Sequence, residues 1–262
     1  MRIPMSPARA GGALLGALLV LFIVGPVLRL LWEASPAALA GAAADVEVRD
    51  AIALTVLCAS ASTLIALLLG LPLGYALART RFPGSRVLRG ILDLPIVIPH
   101  PVAGIALLLF LGRHSPLGTA LGQLGIEVVS HVPGIVAAML FVSAPLVVSG
   151  AREAFAGVDP KLERVARTLG DSGWLAFRRI TLPLAGRGIL AGALLAWGRS
   201  VSEFGAIVIL AYHPKVASIL IYDRFTLYGL PAAVPAAALL LLVALLVFIL
   251  LRFLEPRAGE RR

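Results

Sequence analysis

Charge is scarce in this sequence. Asp, Glu, Lys and Arg make up 14% of its 262 residues, against about 25% in a soluble domain. Hydrophobic residues reach 60%, so a soluble fold would lack the polar surface to cover them, and an ordinary globular enzyme is excluded. Cysteine is nearly absent too. Cys58, the only one, sits in an apolar run; it has no internal disulfide partner, and no Cys/His grouping has zinc spacing. It reads as a small core residue. No Gly-x-x-x-x-Gly-Lys-Ser/Thr run occurs, and neither of the two lysines, Lys161 and Lys215, follows a glycine-rich segment. A nucleotide-hydrolysing P-loop is therefore not encoded here. His114 and His131 fall in a polar loop without a recognisable nucleophile beside them, which leaves an intramembrane enzyme without a catalytic pair. The formal net charge is +9. In a soluble chain that surplus points to nucleic acid; in an apolar one it marks basic cytoplasmic loops, so nucleic acid is not expected as a partner.

Apolar runs near the ~20 residues that cross a bilayer are what the sequence has in abundance. They predict an all-α polytopic membrane protein, a single domain over 1–262, with about six spans at 10–31, 51–78, 91–111, 134–149, 184–211 and 235–254. The first run exceeds the 7–15 apolar residues of a signal core, so it reads as an uncleaved anchor. The basic residues set the orientation. With six spans, 17 of them fall in segments on one side, from Arg2 to Arg262, and 4 on the other, Arg49, Arg113, Lys215 and Arg224. The richer side is cytoplasmic. That places both termini, and the charged stretch 158–183 between spans four and five, in the cytoplasm.

Two spans carry groups that a lipid-facing helix would not. The third contains Asp93, Pro95, Pro99, His100 and Pro101. Prolines remove backbone donors, and broken backbone at membrane depth is tolerated where protein or a water-filled cavity satisfies it. Two readings stay open, a helix lining the interior and a re-entrant or interfacial approach to the span. His100 is hemmed in by prolines and has no second ligand nearby, so no metal is expected. The fifth span contains Arg199, Ser202 and Glu203. Arg199 and Glu203 at i, i+4 share a helix face. A charge at the centre of a span costs roughly 2.5–3.5 kcal/mol on insertion scales, so the pair faces the bundle interior or a polar cavity. It is either a self-satisfied ion pair that fixes packing or, with Ser202 and Pro99, part of a translocation pathway or gate.

The stretch 158–183 has its own helix signals. Asp159 followed by Pro160 starts a helix. Leu162, Val165 and Leu169 form one apolar stripe, and Gly170 stands where a helix takes its terminal glycine. Asp171 can cap a second helix with Trp174, Phe177 and Ile180 on one face, and Pro183 follows as the next span begins. Such a unit could lie on lipid headgroups or dock its apolar ridge into a groove of a soluble partner. The residues alone leave both open.

The segment Glu163-Arg-Val-Ala166-Arg-Thr-Leu-Gly170, followed after nine residues by Ile180-Thr-Leu182-Pro183, resembles the EAA loop of binding-protein-dependent ABC importer permeases. That family's pattern is E-A-A, three residues, G, nine residues, I, one residue, L-P. The glycine-to-isoleucine spacing matches, while the E-A-A columns fall on Arg164, Val165 and Ala166, with the glutamate one place earlier. The resemblance implies a cytoplasmic coupling helix seated in an ATP-binding subunit, with Glu163, Val165, Ala166, Leu169, Gly170, Asp171, Ile180 and Pro183 as coupling residues. It implies a separate P-loop ABC ATPase carrying ATP and Mg, with no cofactor in this chain. It also implies an extracytoplasmic substrate-binding protein and a multi-pass location in the cell membrane. Two ATPases need two coupling loops, so a second permease copy is expected. The segments Leu94–Gly104, Ser202–Ala206 and Ile221–Phe225 resemble the molybdate/tungstate branch, which is similar to the sulfate branch. That resemblance implies a tetrahedral oxyanion as cargo, its identity set by the external binding protein. A self-sufficient secondary transporter would favour inverted repeats, and no internal repeat is evident.

Overall fold

The computed structural model describes residues 7–80 and 82–253. Arg2, Arg81, Arg257, Arg261 and Arg262, which contribute to the charge asymmetry, and Leu254, the expected end of the sixth span, lie outside them. All regular structure among the described residues is helical. Four helices are long enough on their own to cross a bilayer: α1 (Pro7–Glu33), α3 (Val46–Arg79), α8 (Val132–Ala156) and α14 (Leu230–Phe253). A fifth crossing runs from Gly173 to Val201. It comprises α10 (Gly173–Ala176), a wide π turn at Phe177–Thr181 and α11 (Leu182–Val201). One further apolar segment is bent. The segment of α4 (Ser85–Leu92) and α5 (Leu94–Val97) meets α6 (His100–Leu111) at a bend of 112°.

The third span is broken, as its prolines imply: Pro99 has no N–H to donate and holds Ile98 extended, at ψ 141°. The structure corrects three expectations. The fifth span does not continue to residue 211. It ends at Val201, and after a break the short α12 (Gly205–Leu210) turns to pack on α6. The segments between spans are also not plain loops. They hold α2 (Pro36–Ala44), α7 (Pro116–Gln123) and α13 (Ala217–Tyr228). The second helix begins earlier than expected because the Asp45 carboxylate accepts the Glu47 N–H at 2.9 Å and caps it.

The core is the contact of α3, α8 and α11. Lipid offers no hydrophobic drive between helices, so close approach of small residues must supply the packing. Gly70 and Gly74 of α3 face Val147, Val148 and Ala151 of α8. A Cβ placed on Gly150 would lie 2.9 Å from the Gly192 Cα, so α8 and α11 meet backbone to backbone. Ser62 and Ser200 hydrogen-bond across α3 and α11 at 3.1 Å. At the start of α3, Arg224 pairs with Asp45 at 2.7 Å and Lys215 with Asp223 at 2.8 Å, while the Thr55 hydroxyl accepts the Ala217 N–H at 2.8 Å. These contacts hold α13 against the start of α3, beside α12.

Candidate functional site

The stretch expected to couple is built from α9 (Pro160–Thr168) and α10. Asp159 accepts the Lys161 N–H at 2.8 Å, and Pro160 takes the first helical position, where no donor is needed. Gly170 has φ +103°, a left-handed conformation that a side chain disfavours, and the Asp171 N–H closes the turn on the Ala166 carbonyl at 3.0 Å. The bend is therefore where the sequence placed it. The second cap is not. Ser172, one residue later, accepts the Leu175 N–H at 3.2 Å, and Asp171 pairs instead with Arg179 at 3.2 Å. The helix starts at Gly173, so only the residue immediately before it can reach the free amides of the first turn. Pro183 lies in the first turn of α11 without a break before it, and Ile180 is half-buried in the π turn.

The two sides of α9 differ. Leu162, Val165 and Leu169 are exposed, Leu169 to 83%, and Trp174 stands exposed beyond the bend. This is the expected stripe, and it stays exposed among the described residues. Ala166 faces inward. So does Glu163, which the sequence grouped with the coupling residues. Its carboxylate accepts from the Tyr75 hydroxyl at 2.8 Å, from Arg79 Nη2 at 3.2 Å and from the Thr181 hydroxyl. Arg79 Nη1 donates to the Val158 carbonyl at 2.9 Å. Burial pushes the Glu163 carboxyl up, but the Thr181 and Tyr75 hydroxyls and the Arg79 guanidinium outweigh it and hold the group below the usual carboxylate range. One carboxylate thus ties together the end of α3, the helix α9 and the π turn. Phe177 adds ring contacts to Tyr75 at 4.9 Å and Phe155 at 5.8 Å. Sequence reading used Arg79 only as a topology marker and did not single out Tyr75 or Thr181. The available signal was Tyr75 and Arg79 at i, i+4 on the last turns of a span.

The second cluster lies where the bent segment meets the break after α11. Pro99 precedes α6, and its carbonyl accepts the Ala103 N–H at 3.1 Å. Ser202, Glu203 and Phe204 form the break between α11 and α12. Glycine makes the contact possible. A Cβ on Gly205 would fall 2.6 Å from the His100 Cβ, and one on Gly104 would fall 2.8 Å from the Ile209 Cβ. Arg199 Nη2 lies 2.8 Å from Glu203 Oε2, and 2.6 Å and 2.7 Å from the two ring nitrogens of His100. His100 Nδ1 is 3.2 Å from the same Glu203 oxygen. Glu203 Oε1 accepts the Ala206 N–H at 2.7 Å. Ser202 Oγ accepts from Arg199 Nη1 at 3.2 Å, and Ser218 Oγ donates to the Glu203 carbonyl at 2.8 Å. Arg199, Ser202 and Glu203 are therefore together, with Pro99 at the break beside them. His100, which sequence reading set aside, joins them. Among the described residues, no three His, Cys, Asp or Glu side chains gather as metal ligands.

Residues 70–260 match the family described as binding-protein-dependent transport system inner membrane component. The chain is 44% identical to the molybdate/tungstate transport system permease protein WtpB of Thermococcus kodakarensis, with 94% of this chain and 95% of that protein covered. It is 44% identical to the protein of the same name from Pyrococcus furiosus, with 93% of each covered. A bacterial alginate ABC transporter, solved in complex with an alginate pentasaccharide-bound periplasmic protein, superposes with a TM-score of 0.74 at 19% identity, covering 96% of this chain and 95% of that one.

Proposed function

The chain belongs to the family of binding-protein-dependent transport system inner membrane components, and on that premise we propose that it is the permease subunit of an ATP-driven importer for molybdate or tungstate. It is a multi-pass protein of the inner membrane and a transport subunit rather than an enzyme. ATP and Mg belong to a separate P-loop ATPase. The observation that carries this assignment is the bare apolar ridge of Leu162, Val165 and Leu169, held at the Gly170 bend and anchored from behind by Glu163. A ridge with such an anchor transmits force, whereas an element resting on headgroups would not need its back tied to α3. The ATPase takes the ridge, with Ala166, Asp171, Ile180 and Pro183 shaping the turn that presents it.

Both termini and the coupling unit lie in the cytoplasm, as the arginine distribution requires. An external binding protein delivers the oxyanion, in keeping with the alginate transporter solved with its periplasmic protein. A second copy of the chain completes the pathway, since two ATPases require two ridges, and lipid surrounds the assembly. Pro99, Arg199, Ser202 and Glu203 stand on the route.

The experiment is reconstitution of the chain with its ATPase in liposomes. Tungstate uptake is expected only with ATP on the ridge side and the binding protein on the other. Uptake by the chain alone under an ion gradient would overturn this assignment in favour of a secondary transporter.

A further inference from the structure

A dianion that approaches Arg199 also meets Glu203, and the carboxylate cancels much of the attraction. The geometry turns that obstacle into a device. The Glu203 side chain is 1% exposed, whereas Arg199 is 25% and His100 40% exposed. The donors form a rim and the carboxylate lies beneath it. One carboxylate oxygen is held by a guanidinium and an imidazole, the other by the Ala206 N–H. That is the kind of donor set that recognises phosphate-like oxyanions. Charged groups at membrane depth turn away from lipid, so the rim opens onto the polar interior of the assembly.

We infer that Arg199, His100 and Ser202 form an oxyanion seat on the transport route, and that Glu203 is a tethered anion that holds the seat between cargo ions and displaces each one. This rests on the oxyanion-permease assignment above. A seat of uncompensated positive charge would bind a dianion too firmly, and passage needs binding weak enough to leave. A carboxylate on the same chain competes at high effective concentration. Displacing cargo requires the buried carboxylate to exchange its contacts with Arg199, His100 and the Ala206 N–H. Glu203 sits in the break between α11 and α12, where its swing unwinds no helix, while Ser218 Oγ fixes its carbonyl at 2.8 Å.

Equilibrium dialysis of radiolabelled tungstate against the purified full chain tests the seat. Glu203→Gln keeps an acceptor for the Ala206 N–H but removes the charge. It is expected to bind tungstate about tenfold more tightly than the unaltered protein, or more, with sulfate competing and with slower uptake in the assembled transporter. Combining it with Arg199→Gln is expected to abolish the gain. Unchanged or weaker binding by a folded E203Q, or tight binding that survives R199Q, would contradict the seat. If E203Q does not fold, Glu203→Asp replaces it. The shorter carboxylate withdraws from the donors, binding is again expected to tighten, and equal affinity overturns the proposal. Absence of tungstate uptake by the unaltered assembled transporter would instead overturn the permease assignment. Uptake together with an E203Q that binds no more tightly overturns the seat alone.

Discussion

Replacing Leu169 by Asp is expected to abolish ATP-driven uptake and to leave the permease folded. Leu169 is 83% exposed at the end of α9, so its side chain contributes little to the stability of the chain itself. Substitutions at such positions stay within about ±0.5 kcal/mol. The ridge matters only when covered. A carboxylate pressed into an apolar groove must lose its hydration without a partner, and a buried anchor at the centre of an interface is worth about 2–4 kcal/mol, roughly a 30- to 1,000-fold loss of affinity. The measurement is recovery of the ATPase with tagged L169D permease, together with uptake in liposomes and a thermal melt. The melt is expected to match that of the unaltered protein, the ATPase to be lost and uptake to fall with it. If L169D retains its ATPase and transports normally, the ridge is not the docking surface. An ATPase that copurifies normally while the unit detaches from vesicles would point to a headgroup-resting element instead.

Glu163→Ala acts from the other side of the same helix. The side chains of Arg79 and Glu163 are 13% and 16% exposed, and among the described residues Arg79 pairs with no other carboxylate. Removing the carboxylate leaves a largely buried guanidinium unpaired and takes the acceptor from Tyr75 and Thr181. Breaking a buried pair from one side costs about 3 kcal/mol or somewhat more. The expected result is a lower melting temperature and ATP hydrolysis that no longer drives proportionate uptake, because α9 can move without pulling on α3. Glu163→Gln, which keeps an acceptor, is expected to lie between. Acid acts in the same direction. A carboxyl held below its ordinary range contributes stability that is fully present above that range and is lost as pH falls through the lowered value. An E163A protein that melts and transports as the unaltered one does would show that the tie carries no load.

The legible parts of this molecule were those set by local rules. The bilayer imposes a length on every apolar run, so the all-helical membrane fold could be read. Gly170 could be placed because a left-handed residue at a helix end selects glycine, and Asp159 because an acceptor followed by proline has few other uses. The failures have equally local causes. Asp171 and Ser172 are both competent caps and are adjacent, so composition cannot choose between them, and helix boundaries move by a residue or two. The break after Val201 contains no proline, and Ser202-Glu203-Phe204 lies in an apolar run that looked continuous. His100 and Arg199 are 99 positions apart, and their contact depends on two chain breaks and on Gly205, none of which leaves a periodic trace. Glu163 was grouped with the ridge by its place in a motif. Its inward position rests on Tyr75 and Arg79, which lie 88 and 84 positions away in the chain, so no local spacing marks it.

On the proposed function, the apolar ridge of α9 is the surface through which an ATPase drives this permease. The most direct measurement is a site-specific cross-link from Leu169→Cys to the ATPase in the assembled complex, with Arg49→Cys on the far side as control. The background is low, because the one native cysteine, Cys58, is buried. A covalent adduct of one permease chain with one ATPase chain is expected from position 169, none from position 49, and tungstate uptake is expected to fall as the adduct forms. Uptake that proceeds in a complex where position 169 yields no adduct with the ATPase would contradict that role of the ridge.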